Sequence, residues 1–184
     1  MSLPFAATCD IGLGIFRHEE GKGLSDMPNL DAFDMRILSV LQEDARASNV
    51  DIAERINLSP TPCLRRIRNL EKDGVIRGYR AEIDRNKVGL GLTVFVEIKV
   101  GQHNRASSDR LQEALLAVPE VASCHLISGE ADFLAEVVVA DLAAYETLLT
   151  ETLLDLPGVT DIRSNFAIRT VKTGGPLKLP PPQS

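Results

Sequence analysis

No apolar run in this 184-residue chain approaches the roughly 18 residues that a membrane-spanning helix needs, so no membrane partner is expected. Cysteine is scarce: Cys9, Cys63 and Cys124 are scattered and odd in number. No pair has zinc-like spacing and no disulfide framework follows, which favours a reducing, cytoplasmic setting and no metal site. The three histidines, His18, His103 and His125, lie apart with no nucleophile pattern near them. His125, beside Cys124 in a strand-like run, reads as a packed or hydrogen-bonded side chain. The adjacent Glu19 and Glu20 read as solvated surface. Gly12 and Gly14 lack the third glycine and the βαβ context of a phosphate-binding loop. No catalytic set and no cofactor motif emerges, so an enzyme is not expected.

What the chain does have is an uneven charge distribution. Hydrophobic content is 44% and charged content 25%, ordinary for a globular protein, and the net charge is −6. From Ser59 to Arg80 six Lys or Arg stand against two acids, a net +4; from Thr93 to Lys172 six stand against twelve, a net −6. Phosphate neutralisation depends on local charge. The basic segment therefore remains a candidate for nucleic acid, and the two halves should serve different partners.

Within the basic segment, two helix-compatible runs meet at Asn57, Leu58, Ser59 and Pro60. Ile52, Ala53 and Ile56 give the first run one apolar face, and Leu64, Ile67 and Leu70 give the second a narrow stripe. Ser59 suits an N-cap whose hydroxyl accepts from the next turn, and Pro60 suits the first helical position. Two short helices about a tight break form a helix-turn-helix, placed at about residues 49–68. Arg65, Arg66 and Asn69 should point away from the stripe, with Thr61 and Pro62 one turn earlier on the same side. Arg matches guanine edges and Asn adenine, and both reach phosphates. Double-stranded DNA is thus the expected partner, contacted by Ser59, Thr61, Pro62 and Arg65. Arg66, Arg68, Asn69 and Arg77 complete the expected contacts. The plainer alternative is a solvated helix face with surface arginines.

The stretch Leu58 to Ile76, LSPTPCLRRIRNLEKDGVI, resembles the Lrp/AsnC family of leucine-responsive, or feast/famine, transcriptional regulators. The resemblance continues through Gly78-Tyr79, Phe95 to Ile98, Cys124 to Leu126, Ser128 to Phe133 and Leu153 to Val159. It covers about residues 30–172 and is nearer the leucine-responsive branch than the asparagine-responsive one. It implies a transcriptional regulator that binds DNA and answers to an amino acid.

The rest of the chain is read as an α+β protein. Asp31 to Glu43 is a helix capped by Asp31, with Phe33, Ile37, Val40 and Leu41 inward. Ser48 caps the next helix, and Asp73-Gly74 ends the recognition helix. Val75 to Asp84 alternates as short strands, resembling the wing of a winged helix. There Arg77 and Arg80 either touch phosphates or are ordinary surface charge. The winged helix-turn-helix is assigned to residues 29–85 and a glycine-containing hinge to 86–92.

From Thr93 the period changes. Val94, Val96, Ile98 and Val100 alternate with Thr93, Phe95, Glu97 and Lys99. Helices are expected over 106–118 and 141–154, and strands over 93–100, 121–127, 133–139 and 159–171. The order βαββαβ is ferredoxin-like, over residues 93–172. Both helices on one face leave the other open, so a second copy is the simplest cover. A homodimer or higher homo-oligomer such as an octamer is expected. Residues 173–184 are a proline-rich tail. Residues 1–28 lack any period and read either as a disordered arm or as sequence upstream of the true start.

Ser128, Gly129, Glu130 and Asp132 form the second candidate site. They read first as a hairpin turn in which Gly129 supplies a positive φ. The glycine also exposes N–H groups to a carboxylate, and Asp132 can pair an ammonium, the two ends of a free amino acid. The family resemblance implies that this turn lies at a subunit interface and forms the effector pocket. Ala131 stands where relatives commonly carry a bulkier residue, which leaves the effector's identity open.

Overall fold

The computed structural model describes residues 28–101 and 105–181; the arm expected over residues 1–28 lies almost wholly outside them. Three helices come first. Helix α1, Ala32–Glu43, is capped by Asp31, whose side chain accepts from the Phe33 and Asp34 N–H groups while Asp34 bonds back to the Asp31 N–H. Helix α2, Asn49–Arg55, has the same reciprocal arrangement between Ser48 and Asp51. Each box satisfies N–H groups that a helix start leaves without partners. Helix α3, Pro60–Lys72, ends at Asp73. Gly74 follows at φ 71°, and the Ile76 N–H folds back onto the Leu70 carbonyl at 3.0 Å, so glycine closes the helix as expected. Ile37, Ile52, Ala53, Ile56, Cys63, Ile67 and Leu70 are buried together between the three helices.

Two expectations for this unit change. The buried stripe of α3 is Cys63–Ile67–Leu70, whereas Leu64 is 36% exposed. Spacings of three and four together keep a residue set on one helix face; spacings of three alone drift by about 60° per step, which carries Leu64 off the core. The strands expected between Val75 and Asp84 do not form. A strand needs a ladder partner, and among the described residues the only sheet is the four-stranded one further on. Tyr79 and Ile83 consequently lie exposed, and the Tyr79 hydroxyl bonds Glu71 on α3.

A short 3-10 turn, Asn86–Val88, leads into strand β1, Leu92–Val100. Helix α4 (Arg105–Leu116), β2 (Val121–Leu126), β3 (Phe133–Val139), α5 (Leu142–Leu148) and β4 (Val159–Phe166) complete the chain. Strand order is β2-β3-β1-β4 with every neighbour antiparallel, the ferredoxin-like arrangement anticipated. Residues 149–153 continue α5 with wider, π-type spacing. Strand β4 stops at Phe166, short of the expected 171. Its partner β1 starts at Leu92, and after the Ala167 N–H bonds the Thr93 carbonyl no edge remains to pair with.

Val94, Val96, Ile98 and Val100 of β1 are buried with Phe133, Ala135 and Val137 of β3 under Leu111, Leu115, Tyr145 and Leu148 of the helices. The Tyr145 hydroxyl lies 2.6 Å from that of Ser164, and its ring meets Phe166 edge to face, which pins α5 to β4. The opposite sheet face carries Thr93, Phe95, Glu97 and Lys99 of β1 beside Glu136 of β3. It is mixed rather than apolar, with Phe95 41% exposed at its centre.

Ile67→Ala should lower stability by about 2–5 kcal/mol, and Leu64→Ala by only about 0.5 kcal/mol. Denaturant unfolding of the two variants checks this; equal losses would return Leu64 to the core.

Candidate DNA-binding face and effector cleft

The break between α2 and α3 is built on Asn57, which adopts φ 56°. Asn tolerates this left-handed conformation better than most residues. The Leu58 N–H then reaches back to the Ala53 carbonyl at 2.9 Å. Asn49 on α2 donates its side-chain amide to the Pro60 carbonyl at 2.9 Å, a direct tie between the helices. Ser59 is the N-cap residue of α3, but its hydroxyl makes no capping bond. Pro62 at the third helical position has no N–H to offer and the Cys63 N–H is taken by the Ser59 carbonyl, which leaves the Thr61 N–H as the one donor a Ser59 cap would have. The hydroxyl stays exposed at the helix start, where partial positive charge favours an anion.

Along α3, Thr61, Arg65, Arg68 and Asn69 are exposed and Pro62 is half-buried. At about 100° per residue, the four exposed residues fall within one outward arc, with Leu64 at its edge. Arg77, beyond the helix, is exposed as well.

Arg66 departs from the expectation that it faces outward. One guanidinium nitrogen lies 2.8 Å from both Asp31 Oδ2 and Asp34 Oδ1 at the start of α1, and the group stacks over Phe33 at 5.5 Å. Burial opposes ionisation of Asp31, but hydrogen bonds from the Asp34 N–H, Arg66 and the Phe33 N–H outweigh it and hold its pKa below the ordinary 3.8. Burial likewise opposes the charge on Arg66, and the two carboxylates outweigh it and push its pKa up. Because the folded state depresses the Asp31 pKa, its stabilising contribution is present above pH 3.8 and is lost as pH falls through the folded value.

In the carboxyl-terminal part of the chain, the turn after β2 exposes Ser128, Gly129 and Glu130. Gly129 has φ 141° with open space where a Cβ would stand, so its conformation, not crowding, requires glycine. Asp132 is used differently from the expectation. Its Oδ2 accepts from the Val100 N–H at 2.8 Å, at the irregularity where β1 and β4 shift register. Its own N–H bonds the Ile98 carbonyl and its carbonyl receives the Ile127 N–H. Asp132 thereby fixes the turn to β1.

Beside the turn lies a cleft of about 310 Å³ lined by Glu97, Lys99, Glu130, Ala131, Asp161 and Arg163. Of the expected effector residues only Glu130 lines it. Glu97 faces Arg163 and Lys99 faces Asp161 across the β1–β4 ladder, and Arg163 sits 3.4 Å from Glu97 and 3.9 Å from Glu130. These carboxylates and cations can take both ends of a zwitterion. The two-residue alternation of Glu97 with Lys99 and of Asp161 with Arg163 is the signal that could have found them. Burial raises the pKa of both Cys63 and Cys124, so neither is a ready thiolate.

Two families of known proteins match separate parts of the chain. Residues 30–77 match a winged helix-turn-helix DNA-binding family, and residues 93–177 match the Lrp/AsnC ligand binding domain. The leucine-responsive regulatory protein of Escherichia coli K12 is 42% identical over 149 residues, covering 81% of this chain and 91% of that one. Among solved structures, a transcriptional regulator of Neisseria meningitidis in complex with L-Met matches with TM-score 0.75 and 36% identity, over 80% of this chain and 96% of that one. An AsnC family regulator from Agrobacterium tumefaciens matches with TM-score 0.75 and 38% identity, over 82% and 97%. Two family models in the right order, a capped helix-turn-helix and a β2-β3-β1-β4 sheet place the chain in the Lrp/AsnC family: it is a DNA-binding transcriptional regulator, not an enzyme.

Proposed function

We propose that the regulator sets α3 in the major groove, with Arg65, Arg68 and Asn69 toward base edges and Thr61 and Leu64 toward thymine methyl groups. Ser59, Pro62 and Arg77 lie against the backbone, where Ser59 and Arg77 bond phosphates. Arg66 serves DNA binding indirectly, by holding α3 on α1. The observation that carries this reading is the exposed arc of Thr61, Arg65, Arg68 and Asn69 on a helix whose opposite side is buried.

The cleft beside Ser128–Asp132 takes a free amino acid. Lys99 and Arg163 receive its carboxylate together with N–H groups of Ser128 and Gly129, Glu130 and Glu97 receive its ammonium, and Asp132 positions the turn. The L-Met complex of the Neisseria relative supports an amino acid as the ligand class. The residue division follows: DNA binding over 29–85, a hinge over 86–92, and effector binding with assembly over 93–172. The protein works in the cytoplasm as a homodimer or a larger homo-oligomer. Exposed Ile83, Val88, Leu90 and Phe95 support a second copy as the cover for this apolar run.

Titrating a promoter fragment with the protein across a panel of amino acids tests the effector reading. At least one amino acid should shift DNA affinity by about fivefold or more, the usual scale of such coupling; no shift across the panel would overturn it. The DNA face is tested by a pair of neighbours. Arg65→Ala should weaken specific DNA binding by about 1–3 kcal/mol with stability unchanged. Arg66→Ala should instead lower stability by about 1–2 kcal/mol. If Arg65→Ala binds normally, the arginine belongs to the solvated surface.

A further inference from the structure

The chain leaving β4 returns to the first helix. Ten residues beyond Ala167, the backbone of Leu177 meets α1: its N–H donates to Gln42 Oε1 at 2.6 Å, and its carbonyl accepts from Gln42 Nε2 at 3.3 Å. These residues are 135 apart in sequence. A carboxamide presents one acceptor and one donor side by side, so a single side chain satisfies both polar groups of Leu177, as a neighbouring strand would. The Leu177 side chain is itself exposed, so the contact is carried by backbone polarity rather than by apolar burial. Pro176 precedes the contact, and Pro180 and Pro181 follow it. Prolines restrict the free segment, so less conformational freedom is lost when it docks.

Helix α1 carries this pairing one residue before its C-terminal end and the Arg66 clamp at its N-terminal end. Strand β4, from which the tail springs, carries Asp161 and Arg163 of the cleft. We propose that residues 174–179 are a strap that ties the effector-binding sheet to α1 through Gln42, and that it couples the cleft to the recognition helix. The strap favours the arrangement of sheet and helix in which Gln42 and Leu177 meet. A ligand in the cleft that favours another arrangement must release it, so the strap contributes to the difference in affinity that an effector can exploit. This coupling rests on the amino-acid reading of the cleft; the strap itself does not.

The two parts are separated by two measurements on the full chain, made on the parent, Gln42→Ala and Gln42→Glu. Gln42→Glu keeps an acceptor and loses the donor. Amide hydrogen exchange at Leu177 should be at least fivefold faster in Gln42→Ala than in the parent, with Gln42→Glu between them. Equal exchange in parent and Gln42→Ala would overturn the strap. In the promoter titration with the amino-acid panel, Gln42→Ala should bind DNA within twofold of the parent when no amino acid is present. Its ratio of affinities with and without the responsive amino acid should differ from the parent's by at least threefold. A slower Leu177 exchange in the parent with an unchanged ratio would keep the strap and overturn the coupling. A parent that answers to no amino acid would overturn the effector reading and the coupling with it, while the exchange data still decide the strap.

Discussion

The grip of Asp31 and Asp34 on Arg66 joins α3 to the start of α1. The Cys63–Ile67–Leu70 stripe gives α3 its apolar seat on the neighbouring helices. A guanidinium held by two carboxylates at 2.8 Å and stacked on Phe33 adds a polar tie beside that seat. Asp31 and Asp34 are also the two halves of the α1 cap, so one pair of acids starts one helix and holds another. Their negative charge also complements the positive end of the α1 dipole. The consequence for function is the division of neighbouring arginines: Arg66 is spent on this tie, and Arg65 and Arg68 stay exposed.

The sheet applies a different constraint. Its βαββαβ order places both helices on one face, so every second residue of β1 and β4 is left on the other. That side holds oppositely charged cross-strand pairs, Glu97 with Arg163 and Lys99 with Asp161, and these line the cleft. The net −6 of the carboxyl-terminal half keeps this surface away from phosphate, while the +4 of the helix-turn-helix segment invites it. Between the two, Arg85, the residue just before the hinge, reaches Glu136 at 2.7 Å and Thr93 at 3.3 Å, and Ser123 bonds the same glutamate. The chain is therefore anchored to the open face of the sheet where the hinge begins.

Much of this was legible in residue order. Asp31, Ser48 and Gly74 marked helix ends because capping is local chemistry. The strand alternation from Val94 to Val100 showed its buried side because burial imposes a period of two. Contacts between distant segments left no such trace. Nothing near Arg66 in sequence reveals that Asp31 and Asp34 will meet it. The same holds for Asp132 and the Val100 N–H, and for Gln42 and Leu177. The wing strands over 75–84 failed for the converse reason: alternation was present, but the pairing partner that makes a strand was not. Leu64 and Arg66 exchanged roles because a helix-face assignment from three residues leaves the direction of the core uncertain by tens of degrees.

The outward arc of α3 is proposed to enter the major groove. Methylation protection of guanine N7, which lies in that groove, tests it most directly on a promoter fragment bound by the full-length protein. N7 protection is expected in two clusters about 10–10.5 base pairs apart, or a multiple of that, as two copies of the helix on one DNA face require. Backbone protection from hydroxyl radicals with every guanine N7 left reactive would contradict it, because contact would then be confined to phosphates and sugars.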